Sequence, residues 1–249
     1  MVSRLLVALD FPSATEAVSM ATRLSELVDG FKVGLELLMG PGPAAIAAIR
    51  ELGKPVLVDA KLHDIPNTVR SSARQLGRLG ARWVTVHGAG GGAMLEAAVT
   101  GLREGADGRP AGVVAVTVLT SLDQSDLTAT GISGTPGKQV ARLARLAARS
   151  GAEGVVCSVR ELGDVAQVAP GLTRITPGIR SEENDAVDQA RVGDPAEAVR
   201  RGADYLVVGR PITRAADPVA AARRFIATAQ GETQVAPTRR DSERLGRDE

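Results

Sequence analysis

Eight short apolar runs punctuate the chain, and each is followed by a stretch of helical period. They are Leu5–Leu9, Phe31–Gly34, Val56–Val58, Trp83–His87, Gly112–Leu119, Gly154–Cys157, Leu172–Thr176 and Tyr205–Val208. Runs apolar on both faces are the pattern of parallel strands covered on either side. Parallel neighbours need long crossover connections, which the intervening helices supply. Eight such units close most simply into a (β/α)8 TIM barrel of the α/β class. An open doubly wound sheet is the alternative, but eight units of this size fit the barrel better.

The helical stretches carry start and stop signals. Ser13 reads as an N-cap, with Glu16 three residues on to complete a capping box, and Ala17, Met20, Ala21, Leu24 and Leu27 mark one apolar face. Further helices are expected over Pro43–Leu52, Asn67–Leu79, Ala93–Arg103, Lys138–Arg149 and Val159–Val168. Asp194 should cap a helix opened by Pro195, and Asp217-Pro218 should open the last one, to Ala229. Two polar connections, Thr120–Gly137 and Ser181–Gly193, are long for a compact domain, and loops of that length are usually functional. Residues 1–230 read as one catalytic domain; 231–249 lose periodicity and read as a disordered tail.

Composition narrows the function. The net charge of +1 over 249 residues gives no field to gather nucleic acid, and 2% aromatics leave few stacking platforms for bases. No apolar run approaches the roughly 20 residues that span a bilayer. The first residues lead straight into a strand with no signal-peptide pattern. The single Cys157 excludes an internal disulfide and a Cys-based zinc site. A cytoplasmic enzyme is the expectation. Only four of the 30 basic residues are lysines: Lys32, Lys54, Lys61 and Lys138. An ammonium can give up a proton where a guanidinium cannot, so lysines placed at strand ends are candidates for chemistry.

In a barrel of this type the active site lies at the C-terminal ends of the strands. The polar residues there are Asp10, Lys32, Asp59, Lys61, Asp64, His87, Thr120, Ser121, Arg180 and Arg210. The densest set is Asp59-Ala60-Lys61-Leu62-His63-Asp64-Ile65-Pro66-Asn67-Thr68. Asp59 and Lys61 are two apart and share a strand face, and Asp64 follows where the chain can turn. Gly209-Arg210 after the eighth strand suits a phosphate, with Arg180 and Gln189 on the preceding loop able to close over it. Other signals are weaker. Gly88–Gly92 has Ala93 where a dinucleotide loop needs glycine, and Gly131–Lys138 has one residue too many for a P-loop. His63 and His87 are too few for a histidine metal site; His63 is expected to orient the motif loop and His87 to hydrogen-bond at its strand end. Cys157 reads as core.

These segments resemble the orotidine 5'-monophosphate decarboxylase family. The likeness is carried by Leu9-Asp10, Lys32-Val33-Gly34, the Asp59–Thr68 motif, Val118–Ser121, Thr176–Arg180, Asp188–Arg191 and Val208–Ile212, in family order across nearly all of residues 5–230. Ala60 and Leu62 depart from the commoner Leu and Phe, with no charged role affected. The resemblance implies decarboxylation of orotidine 5'-monophosphate to UMP with no metal and no cofactor. It implies that Lys61 protonates C6, that Asp59 sits against the departing carboxylate, and that Lys32 and Asp64 complete an alternating row of charge. Asp10 and Lys32 would hold ribose hydroxyls, Thr120 and Ser121 would meet the pyrimidine, and Ile65 and Pro177 would line the substrate. Arg180, Gln189, Gly209 and Arg210 would bind the 5'-phosphate. Asp64 and Thr68 would reach into a neighbouring subunit's site, so a homodimer with shared active sites is implied. Sugar-phosphate enzymes of the same superfamily, which use magnesium, are the alternative.

Overall fold

The computed structural model describes residues 4–180 and 193–231. Eight parallel strands form a closed barrel in sequence order: β1 (Arg4–Ala8), β2 (Gly30–Val33), β3 (Val56–Leu62), β4 (Trp83–His87), β5 (Gly112–Val116), β6 (Gly154–Val156), β7 (Thr173–Thr176) and β8 (Tyr205–Val208). β1 pairs with β2 on one side and with β8 on the other, so no edge remains. The expected barrel is the observed one.

Alternation along each strand divides the apolar residues between two cores. Leu6, Ala8, Leu57, Val114, Ile175 and Val207 point into the barrel, while Leu5, Val7, Leu9, Val58 and Val84 pack outward under the helices. The N-terminal end of the barrel is shut. The Trp83 and Tyr205 rings meet edge to face with centroids 5.0 Å apart. Trp83 Nε1 donates to Glu153 Oε1 at 2.8 Å, and Arg82 grips the same carboxylate with two bonds of 2.9 and 2.6 Å. Arg4 Nη1 donates to the Tyr205 hydroxyl at 2.6 Å. With that end plugged, the cavity opens only toward the C-terminal strand ends.

Most helices start where the sequence signals place them. Ser13 Oγ accepts from the Glu16 N–H, and Asp194 Oδ1 accepts from the Glu197 N–H at 2.9 Å. Among the described hydrogen bonds only the Ser13 half of the first capping box is made. The Thr120–Gly137 connection is not a plain loop. It holds a helix, Gln124–Ala129, nucleated by a full capping box between Asp123 and Asp126. Short helices at Leu35–Met39 and Arg210–Thr213 also form where the sequence pattern predicts none, because fewer than two turns carry too little periodicity to register. β5 stops at Val116, not Leu119: Thr117 Oγ1 donates to the Val156 carbonyl at 2.7 Å, and the chain leaves the ladder there.

One helix pair bears directly on the site. The Pro66–Arg78 helix, which carries Thr68 in its first turn, is laid tightly on the Gly92–Ala106 helix. A Cβ at Gly101 would collide with the Arg70 carbonyl, and one at Gly105 with the Arg74 carbonyl. Only glycine lets the backbones approach this closely. Gly105→Ala is therefore expected to destabilise by about 2 kcal/mol, the usual cost of overpacking, and to lower Tm by roughly 4–8 °C. Gly163→Ala, in a helix with open space at its Cβ, should leave Tm unchanged or raise it. Thermal melts of the two variants check this.

Candidate active site

At the C-terminal mouth of the barrel a cavity of about 290 Å³ collects residues from distant parts of the chain. Asp10, Lys32, Asp59, Lys61, Thr120, Pro177, Arg180, Gly209 and Arg210, all expected at the site, line it. Apolar walls come from Leu57, Val116, Val118, Ile175 and Val207. Cys157 also lines it but is 1% exposed, and burial pushes its thiol up to about 12, which removes it as a nucleophile.

The charged centre is a row of alternating sign. Lys61 Nζ donates to Asp59 Oδ2 at 2.8 Å. Lys32 Nζ stands 3.5 Å from the same oxygen and 3.1 Å from Asp10 Oδ1. Asp59 is 13% exposed. Burial pushes its carboxyl upward, but the Lys32 and Lys61 ammoniums, with hydrogen bonds from Lys61 and Thr85, outweigh that and hold it below the ordinary carboxylate range. Gly34 makes room for the row: a Cβ there would stand 2.9 Å from both Asp10 Oδ1 and Lys32 Nζ.

The backbone under this row is distorted. From Val58 to Leu62, β3 advances four residues while its partner β4 advances two, from Val84 to Val86. The extra residues form a bulge, and Lys61 sits in it with φ of 45°, a left-handed conformation that costs an L-residue about 1–2 kcal/mol. The strand thus runs on into the motif, through Leu62, where only Val56–Val58 reads as strand from the sequence.

Thr85 was not among the expected site residues. It lies on β4, 1% exposed, and lines the cavity. Its Oγ1 donates to Asp59 Oδ1 at 2.8 Å and accepts from the Lys61 backbone N–H at 2.9 Å. The available signal was a lone hydroxyl in an otherwise apolar strand, two residues before His87 and so on its face.

Other expected residues lie elsewhere. Asp64, Ile65 and Thr68 are exposed and do not line the cavity of the single chain; Asp64 Oδ1 accepts from the Ile65 N–H at 2.6 Å. Ser121 is exposed beyond the rim, since the chain turns outward after Thr120. Gln189 lies outside the described residues. Among the described residues His87 has no side-chain hydrogen-bond partner of the expected kind; its ring packs against that of His63, with centroids 5.3 Å apart. Among the described residues no cluster of three or more His, Cys, Asp or Glu is placed to hold a metal ion.

β3 and β7 are four strands apart in a closed ring of eight, so they face each other across the mouth. The cavity therefore has two polar ends: the Lys32–Asp59–Lys61 row, and the arginines Arg180 and Arg210 after β7 and β8. An elongated ligand with one anionic end matches that arrangement.

Comparison with known proteins gives one family. The model of the Orotidine 5'-phosphate decarboxylase / HUMPS family matches residues 3–225. An orotidine 5'-phosphate decarboxylase of Anaeromyxobacter sp. (strain K) is 51% identical over 225 residues, covering 90% of this chain and 97% of that protein. One from Moorella thermoacetica is 49% identical over 229 residues, covering 90% and 91%. Among solved structures, the orotidine 5'-phosphate decarboxylase of Lactobacillus acidophilus superposes with a TM-score of 0.77 at 34% identity, covering 91% of this chain and 99% of that one.

The paired imidazoles make a pH prediction. Burial, then the neighbouring His63 and Lys61, push His87 below its ordinary value of 6.5. The unfolded chain then holds more protons than the folded one in the window beneath that value. Stability from this residue is full above about pH 6.5 and declines as pH falls toward the folded pKa. Tm should drop between about pH 7.5 and 5.5, and the drop should be shallower in His87→Gln. Melts of both proteins across that range check it.

Proposed function

The chain belongs to the Orotidine 5'-phosphate decarboxylase / HUMPS family, and from that membership we infer that it is the enzyme converting orotidine 5'-monophosphate to UMP in pyrimidine biosynthesis. The observation that carries the mechanistic reading is the Asp59 carboxylate shared by the Lys32 and Lys61 ammoniums at one end of the cavity.

In the proposed reaction the bond from C6 to the carboxylate breaks heterolytically. Carbon dioxide leaves, and the electron pair stays on C6 in the ring plane, outside the reach of the π-system. Stabilisation must then be electrostatic, by a cation in place before the charge develops. Lys61 is that cation. It gives a proton to C6 to complete the product and regains one from solvent. Asp59, beside the substrate carboxylate, holds the Lys61 ammonium in place as the carboxylate departs. Asp10 and Lys32 hold ribose hydroxyls, Thr120 meets the pyrimidine, and Pro177 packs on the substrate. Arg180, Gln189, Gly209 and Arg210 take the phosphate. Binding energy gained there, far from C6, serves to organise and dehydrate the reacting end.

We also propose that no metal takes part. Both oxygens of Asp59 are engaged, Oδ1 by Thr85 and Oδ2 by the two lysines, so this carboxylate is already neutralised and poorly disposed to take a divalent cation. Turnover of orotidine 5'-monophosphate, followed by loss of pyrimidine absorbance, is expected to persist in excess EDTA. Lys61→Ala should lower kcat by roughly 10³-fold or more with the fold intact. Chelator-sensitive turnover, or a substantial kcat in Lys61→Ala, would overturn the reading.

The working unit is proposed to be a homodimer with shared sites, in the cytoplasm. No helix among the described residues is long and apolar enough to cross a membrane. Ile65 is 67% exposed beside the catalytic motif, with Asp64 and Thr68 exposed on either side of it. On the same rim, the helix after β2 exposes Leu35 and Met39. An apolar patch next to charged motif residues suits a second copy, to which Asp64, Ile65 and Thr68 would be lent. Mixing Lys61→Ala chains with Asp64→Ala chains should then restore activity through heterodimers that hold one intact site. Heterodimers with no activity would count against sharing.

A further inference from the structure

Resting on that reading of the site, we propose that Thr85 is a positioning residue whose single hydroxyl fixes both the carboxylate and the backbone that aim the catalytic ammonium. A threonine hydroxyl has one proton to give and lone pairs to receive. Here the proton goes to Asp59 Oδ1 at 2.8 Å, and a lone pair takes the Lys61 N–H at 2.9 Å. The direction of each bond follows from the donors: a backbone amide can only donate, and the ionised carboxylate can only accept.

The second bond answers the bulge. Where β3 gains its extra residues it leaves the β4 ladder, and the Lys61 N–H loses the carbonyl that regular pairing would supply. Thr85 Oγ1 stands in for that carbonyl. It secures Lys61 in the left-handed conformation that an unsupported lysine would leave. The first bond selects the Asp59 rotamer. With Oδ1 held by Thr85, Oδ2 is presented to Lys61 Nζ at 2.8 Å and to Lys32 Nζ at 3.5 Å. One oxygen atom thus ties the stem and the head of the same lysine, the head through Asp59. The charged and titratable groups around Asp59 are Lys61 on its own strand, Lys32 on β2, Asp10 behind Lys32, and His87 two residues beyond Thr85 on β4.

Thr85→Val keeps the shape and removes the hydroxyl; Thr85→Ser keeps the hydroxyl. With the unsubstituted enzyme turning over orotidine 5'-monophosphate, which tests the underlying assignment by itself, Thr85→Val is expected to lose about 10- to 100-fold in kcat. Its KM and its binding of UMP should stay within about threefold, because the contacts to ribose and phosphate are untouched. The acid limb of its kcat profile should move to higher pH, since Asp59 loses a bond that favours its ionised form. Thr85→Ser should match the unsubstituted enzyme in kcat and in acid limb. A Thr85→Val enzyme with unchanged kcat and limb, or a Thr85→Ser enzyme as slow as Thr85→Val, would overturn the proposal. If Thr85→Val is not obtained folded, Thr85→Ala against Thr85→Ser decides in the same terms.

Discussion

The Asp59 carboxylate is the contact on which the rest of the site depends. It is nearly buried, and a buried carboxylate left unpaired would cost several kcal/mol or take up a proton. Two ammoniums and a hydroxyl keep it ionised. The dependence also runs the other way. Without Asp59, Lys61 would lose the carboxylate that places it and would face Lys32, a like charge still held by Asp10. The anion is thus what allows two cations to be held near each other before any substrate arrives.

A barrel is suited to this arrangement because its two ends have been given different work. The Trp83, Tyr205, Glu153 and Arg82 cluster shuts the N-terminal end with fully partnered polar groups. The outer core, continuous from Leu5 to Ala229, secures the helices to the strands. The bulge at Lys61, of order 1–2 kcal/mol, is small beside what that core stabilises. Local strain at the open end is tolerated because the closed end and the helix layer fix where β3 and β4 begin.

The same asymmetry explains what could be read from the amino-acid order. The eight strands were legible because each is a two-sided apolar run, a signal that needs no knowledge of neighbours. Asp10, Lys32, Asp59, Lys61, Arg180 and Arg210 were legible because a strand end is a defined place, and those residues do converge on one cavity. The bulge was not legible. Nothing in Val58-Asp59-Ala60-Lys61-Leu62 states that β4 will advance two residues while β3 advances four. Thr85 was missed for the same reason: its role exists only once two strands are side by side and out of register. The Gln124–Ala129 helix was missed because six residues carry little period, although Asp123 and Asp126 spelled out its cap.

Asp64, Ile65 and Thr68 are a different case. Their motif reads continuously from Lys61, yet the bulge and the turn at Asp64 direct them away from the cavity to which Lys61 belongs. A carboxylate and an isoleucine held outward at the rim, at the start of a helix locked down by Gly101 and Gly105, have a fixed position outside the cavity of their own chain. Fixing them has a cost: the helix packing admits no Cβ at Gly77, Gly101 or Gly105. Such rigidity is understandable if the rim must meet something at a defined distance. The glycine contacts under the Pro66–Arg78 helix and the proposed sharing of sites are then parts of one arrangement, in which helix packing in one chain sets the charge geometry in the other.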